Sequence, residues 1–308
     1  MTIPRAIHGG LLLCATAPML SAQALTATAL QEIQNFRHTL DTSMRGPQSP
    51  LNMVVLQKLD GDDITVGSAT DNTVQMPHVA SHLLRVSFAG DRIHVAAPPN
   101  GFAPGVTVGG KPAVDSTVTF DAGGTSPEFR QGSASFVLRH KFGYWLVGRD
   151  MQAPAMLAYH GLRWYQPEAR YRITAQWKPY PAPRTLRVAN VLGQVNEETS
   201  YGVAEFMLDG QIVRLEPSVN ATRARPLFFV FRDRTSRTTT YGVGRFLDAD
   251  MPSNGLSQQG TVVLDFNQAR NPWCAFSVHT SCPLPPMGNR LATAIPAGEQ
   301  RYAGRVSE

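Results

Sequence analysis

The apolar positions along this chain change their spacing twice, and each change marks a different kind of element. Met1 to Gly10 carries Arg5 and no acidic residue, and Leu11 to Leu20 is a short apolar run. Ala22-Gln23-Ala24 then supplies the small-x-small pattern after which a signal peptidase cuts, so residues 1–24 are predicted to be a secretory signal. The run is shorter than the ~20 apolar residues that a membrane-spanning helix needs. Leu13 precedes Cys14 where lipoprotein processing wants a small residue, so soluble release into the periplasm or medium is expected rather than lipid anchoring. From there the spacing turns helical. Leu30, Ile33, Phe36, Arg37 and Leu40 predict one amphipathic helix over 27–44, stopped by Gly46-Pro47 and Pro50.

Past residue 50 short apolar runs alternate with Gly, Pro, Asn and Asp. Three hairpins are predicted at Asp60-Gly61, Gly90-Asp91 and Asp209-Gly210, the last flanked by Phe206-Met207-Leu208 and Ile212-Val213-Arg214-Leu215. Asp-Gly readily takes the positive φ angles of a two-residue hairpin turn. Further strands are expected at 116–120, 136–140, 144–149, 171–177, 186–191, 226–231 and 261–266. Strands at such close intervals suit sandwiches and barrels. Pro179 to Pro183 is a possible linker, Gln152 to Gly161 a possible boundary, and the tail from Pro283 is expected to wrap the surface in an extended form. The predicted fold is mainly β: a short N-terminal helix, a β-sandwich, then a second β-barrel or sandwich with an extended Pro-rich tail. Its segments are 1–24, 25–49, 50–150 and 151–308.

Composition narrows the function. The chain has 28 Lys and Arg against 23 Asp and Glu, and its positive residues are dispersed. A nucleic-acid protein concentrates them on one face, so no nucleic-acid partner is expected. No other segment is apolar enough to form a transmembrane helix. Cys14 would leave with the leader, and Cys274 and Cys282 remain. An even count in an oxidising compartment reads first as one disulfide. With His279 the pair also has the makings of a soft-metal site or a nucleophile with its base, given a further ligand. The disulfide is preferred, and neither a metal nor a cofactor is expected.

The densest text lies in the C-terminal third. It reads Phe231-Arg232-Asp233-Arg234-Thr235, Thr240 to Leu247, Leu264-Asp265-Phe266-Asn267 and Asn271-Pro272-Trp273-Cys274-Ala275-Phe276. Ser281-Cys282-Pro283-Leu284-Pro285-Pro286, Asn289, Leu291 and Ala297-Gly298-Glu299 follow. This series resembles the bacterial family known as domain of unknown function 1684, with a likeness running from about residue 33 to residue 299. The resemblance implies no particular activity. Both cysteines belong to the family's motif, and His279 does not. In the N-terminal half, Val66-Gly67-Ser68, Asp71-Asn72, Ser81-His82 and Asn100-Gly101 are similar in order to forkhead-associated domains, β-sandwiches that bind phosphothreonine. Ser68 stands where those domains place a phosphate-contacting Arg, and Ser81-His82 lacks their spacing. The resemblance therefore implies a similar fold without a phosphopeptide site.

Two readings of the motif residues follow. In the first, Arg232 and Arg245 bind an anion or carboxylate in forked geometry. Asp265 and Glu299 are then the catalytic candidates, with acid–base capacity, and Asn267, Asn271 and Asn289 orient a small polar or anionic ligand. In the second, an Arg232–Asp265 pair staples two strands and the Asn and Asp side chains cap turns, as in a structural or interaction protein of the envelope. Convergence on one open pocket would favour the first, and local backbone partners the second. Tyr159, Trp164 and Tyr165 are expected in packing rather than in a sugar-stacking platform.

Overall fold

A computed structural model describes residues 24–61, 63–90 and 92–307 of the chain. The predicted leader lies outside the described residues, apart from its last position. The helix spans Ala27–Ser43 and is capped by Thr26, whose hydroxyl accepts from the Ala29 N–H at 3.1 Å. Its buried side is small, Ala29 and Ile33. Polar and stacking contacts add to the docking: Arg37 donates to the Tyr165 carbonyl at 3.0 Å and lies over the Trp164 ring, and Glu32 meets Arg172 at 2.9 Å. The helix thus belongs spatially with residues far down the chain.

Residues 53–150 make two sheets around one core. The first has six strands in the order Met53–Leu59, Tyr144–Asp150, Ala134–His140, Phe129–Gln131, Thr107–Val108, Lys111–Pro112. The second has five, in the order Val74–Gln75, Asp63–Gly67, Leu84–Ala89, Arg92–Ala96, Ser116–Thr119. Val55, Phe136 and Leu146 from the first meet Ile64, Val86 and Ile93 from the second. Alternate residues of each strand fill this core, as the pleat requires. The turn at Gly90 joins two paired strands as predicted. The one at Asp60-Gly61 does not make a hairpin: Met53–Leu59 pairs with Tyr144–Asp150, while Asp63–Gly67 pairs with Leu84–Ala89. Val55 and Ile64 enter the core from facing sheets, so the chain must cross between them at that point.

The C-terminal part has a second core. A four-stranded sheet runs Gln211–Leu215, Val195–Leu208, Arg172–Ala189, Gly260–Asp265, and a three-stranded one runs Ser218–Val219, Leu227–Phe231, Arg245–Ala249. Trp177, Phe206, Leu227, Phe229, Phe231, Leu264 and Phe266 pack between them. None of the sheets closes, so the barrel alternative is set aside in favour of layered sheets. The hairpin at Asp209-Gly210 is present, with φ of 48° and 76° at the two turn residues. Pro179 to Pro183 is not a linker. It lies within the single strand Arg172–Ala189, where the register shifts between Pro179 and Arg184 and accommodates the missing N–H donors. The Pro-rich tail is extended as expected and leaves Met287 and Arg290 exposed, but it does not stay on the surface throughout. It is irregular, but Ile295, Ala297 and Glu299 are buried rather than wrapped on the surface, because Asp233 and the Ala269 carbonyl satisfy the Ile295 and Glu299 N–H groups.

Candidate functional site

Most of the motif side chains are drawn into separate local networks. Arg245 is 1 % exposed and pairs with Asp233 at 2.8 Å; its guanidinium also donates to the carbonyls of Ile295 and Ala297. Asp233 in turn accepts from Thr235 and from the Ile295 N–H. Burial pulls the Arg245 guanidinium below its usual range, and Asp233 opposes that shift. Every donor direction the fork offers toward the tail is thus taken by protein groups, which clamps residues 295–297 to the strand Arg245–Ala249. Asp265 pairs with Arg172 at 2.7 Å, not with Arg232, because Arg172 lies directly opposite it in the neighbouring strand. Arg232 contributes its backbone instead, donating its N–H to the Asn289 carbonyl and accepting from Leu291.

The asparagines behave alike. Asn267 holds both backbone groups of Glu168 at 3.0 Å and also donates to Asp265. Asn289 holds both backbone groups of Glu216, at 2.9 and 2.8 Å, and donates to the Val230 carbonyl. Each side-chain amide stands in for a paired backbone amide where two chain segments meet out of register. Gly298 is part of the same fitting: at φ +78° it passes so close that a Cβ would lie 2.5 Å from the Ala269 carbonyl oxygen.

One pair opens onto a cavity. Asn271 donates its backbone N–H to Glu299 Oε2 at 2.8 Å and its Nδ2 to Glu299 Oε1 at 2.7 Å. Nδ2 also donates to the Gln300 carbonyl, so both amide hydrogens are engaged and the orientation of the amide is determined. Asn271 Oδ1 is buried and has no hydrogen-bond partner. Glu299 is buried at 1 % exposure, and burial raises its carboxyl to about 7 against the two Asn271 bonds, which favour the ionised form. Asn271 and Glu299 line a cavity of about 410 Å3 walled by Leu40, Met44, Phe246, Trp273 and Phe276. Arg223 and Arg270 also reach it and share the single carboxylate of Asp248, which leaves one positive charge at that edge. The cavity is thus a largely apolar chamber with the Asn271–Glu299 pair on one wall and this cationic edge on another.

Cys274 and Cys282 form a disulfide with their Cα atoms 6.2 Å apart, inside the normal span. His279 lies in the loop they close and does not meet either sulfur. Among the described residues no cluster of His, Cys, Asp and Glu has a metal-binding arrangement. Tyr159 is buried against Met44 and Phe276, and Trp164 stacks edge-on with Phe36. Arg172, the true partner of Asp265, carried no signal of its own in the sequence. Its strand had been located, but not its register against Gly260–Asp265.

The two cores, the clamped tail and the walled cavity define a mainly β protein whose C-terminal half is tied together by buried side-chain amides and carboxylates. Residues 157–300 match the family model described as Protein of unknown function (DUF1684), and the chain belongs to that family. The match begins well after residue 33, so the N-terminal helix and first sandwich lie outside it. The uncharacterized protein from gene locus rrnAC0354 of Haloarcula marismortui, solved by solution NMR, is 33% identical to this chain. The alignment covers 46% of this chain and 77% of that one, with a TM-score of 0.40. No curated protein matches the chain.

Proposed function

We propose that this protein is exported and binds a small polar ligand in the Asn271–Glu299 cavity of its C-terminal half. The observation that carries this is Asn271 Oδ1, buried and without a partner in a residue that lines the cavity, so that a ligand reaches it by a small shift of the wall. A buried carbonyl left without a donor costs about 1–3 kcal/mol, and a ligand that donates to it removes that cost. Its neighbour Glu299 adds a second acceptor that is poised to hold or release a proton near neutral pH. The ligand class follows from the lining: a hydroxyl or ammonium group at the polar wall, and an apolar body against Leu40, Phe246 and Phe276. Arg245, Asp265, Asn267 and Asn289 serve as the frame of this site. Their closed local networks favour the structural reading for those residues individually. We also read the first sandwich as forkhead-associated-like in fold and without a phosphothreonine site.

Benzylamine and benzyl alcohol are suitable probes, each carrying one donor on an apolar ring. Both should raise the melting temperature of the wild-type protein in a dose-dependent way. Asn271→Leu, which removes the acceptor, should abolish the shift, and Glu299→Gln should weaken benzylamine more than the alcohol. An unchanged shift in Asn271→Leu, or no shift with either probe, overturns the proposal.

A further inference from the structure

The six-stranded sheet has a second face, and what covers it is the C-terminal part of the chain. Along Tyr144–Asp150, Leu146 enters the core, so Trp145, Val147 and Arg149 project from the opposite face. Arg139 lies directly across from Trp145 on the neighbouring strand. The facing wall comes from more than forty residues further along: the hairpin tip around Asn190 to Asn196, and the disulfide-closed loop that carries His279 and Thr280. Between the walls is a cleft of about 320 Å3, within the range of small-molecule sites.

Three features set this cleft apart from an ordinary seam between packed layers. Its charge is one-sided: Arg139, Lys141 and Arg149 line it, and no Asp or Glu is among the described residues that do. Arg149 is half-buried, yet its guanidinium donates only to neutral acceptors, the Ser49 carbonyl at 2.9 Å and Asn52 Oδ1 at 2.8 Å. Burial and, second, the like charge of Arg139 push Arg149 below its usual range, and the more distant Glu128 opposes them only in part.

The second feature is a pair of buried nitrogens without partners. Trp145 and His279 line opposite walls, and their Nε1 and Nε2 atoms, buried behind those walls, have no hydrogen-bond partner. An indole N–H can only donate, so the group that answers it must accept. The third is exposed aromatic surface. Trp273 and Phe142 line the cleft with 46 % and 50 % of their surface open. Gln194 and Asn196 supply amides beside them. Three cations with no carboxylate beside them call for an anion. Lys141 lies over one face of the Phe142 ring and Arg149 over Trp273. The aromatic surface they leave open, next to amides, suits a pyranose, whose C–H faces stack on aromatics and whose hydroxyls bond to amides.

We propose that this interdomain cleft binds an acidic sugar, a pyranose bearing a carboxylate or sulfate group, with Arg139, Lys141 and Arg149 on the anion and Trp273 and Phe142 against the ring. Trp273 and Ser281 also line the Asn271–Glu299 cavity, but the cationic wall belongs wholly to the first sandwich. The two sites therefore adjoin at Trp273, and the anion-binding wall is what separates this proposal from the one above.

Isothermal titration of the full mature chain tests it with four probes: digalacturonate, a sulfated heparin disaccharide, maltose and sodium sulfate. At least one acidic disaccharide should bind saturably with one site per chain and weaken as salt is raised. Which of the two binds distinguishes a carboxylate from a sulfate ligand. Maltose should give no binding, and free sulfate should bind far more weakly than the disaccharide. Arg139 and Lys141 are exposed, so the R139A/K141A variant keeps its fold. It should lose about tenfold in affinity for each charge removed. No heat from either acidic disaccharide, equal binding of maltose, sulfate as tight as the disaccharide, or full affinity in R139A/K141A would overturn the proposal.

Discussion

Glu299 is held by two opposing effects at the scale of a single side chain. Asn271 donates to both of its oxygens, which favours the carboxylate, while burial favours the neutral acid and wins, placing the group at about 7 instead of 4.5. A raised carboxyl means that the folded protein binds more protons than the unfolded chain between pH 4.5 and about 7. Stability should therefore fall as pH rises through that window and level off above it. The expected loss is about 3 kcal/mol at most. Glu299→Gln keeps the shape and removes the titration, so its urea midpoint should change much less between pH 5 and pH 7.5 than that of the wild type. An identical pH slope in both proteins would show that another group is responsible. Arg245 and Asp233 present the contrasting case, a buried pair whose remaining bonds are all made to protein, and so a clamp rather than a site.

At the scale of elements, the disulfide loop matters most, because it stands between both proposed sites. Cys282 leads directly into the tail, and Trp273, one residue before Cys274, lines both cavities. Closing a loop with a separation of 8 residues should stabilise the fold by ~2.5 kcal/mol on the chain-entropy view. Reduction, or Cys282→Ser, should lower the melting temperature of the mature protein, and a chelator should leave it unchanged. Thiol counting under denaturing conditions should find none before reduction. Two free thiols together with stoichiometric zinc would replace the disulfide by a metal site. The hairpin at Asp209-Gly210 shows what is legible at this scale. Its turn chemistry and alternation are local, and the observed register, Leu208 opposite Gln211, follows from them. Asp60-Gly61 carries a similar signal, yet its flanking strands part to different sheets, because the core they share lies between those sheets and not within one.

For the whole molecule, the helix Ala27–Ser43 begins three residues after the proposed cleavage point and docks on the C-terminal part through Arg37 and Glu32. Cleavage after Ala24 would leave that docking intact. Export of the full chain in a bacterial host should yield a protein in the periplasm or medium whose N-terminus is Leu25, read by N-terminal sequencing. A lipidated Cys14 terminus, or an uncleaved protein in the cytosol, would count against export as a soluble protein. Among the described residues no helix is long and apolar enough to cross a membrane.

What the sequence by itself determined is everything that depends on neighbours along the chain. The helix, the β-rich class, the Asp209-Gly210 turn and the expected pairing of Cys274 with Cys282 follow from periodicity, turn chemistry and the cysteine count without the predicted leader. The density of polar motif residues was also visible, and so were the family they mark and two of the residues, Asn271 and Glu299, that meet at the cavity. Only the tertiary structure decided which of them face a cavity and which are closed off. Asp265 takes Arg172 as its partner because of how two strands are registered, 93 residues apart. The stretch from Ile295 to Glu299 can be buried because Asp233 and the Ala269 carbonyl meet its N–H groups. Arg139 and Arg149 looked like dispersed surface charge, and they line a cationic cleft only because a hairpin from the second half folds over them. A side chain's period is a local property of the chain. Its partners are not, since they depend on where distant segments come to rest.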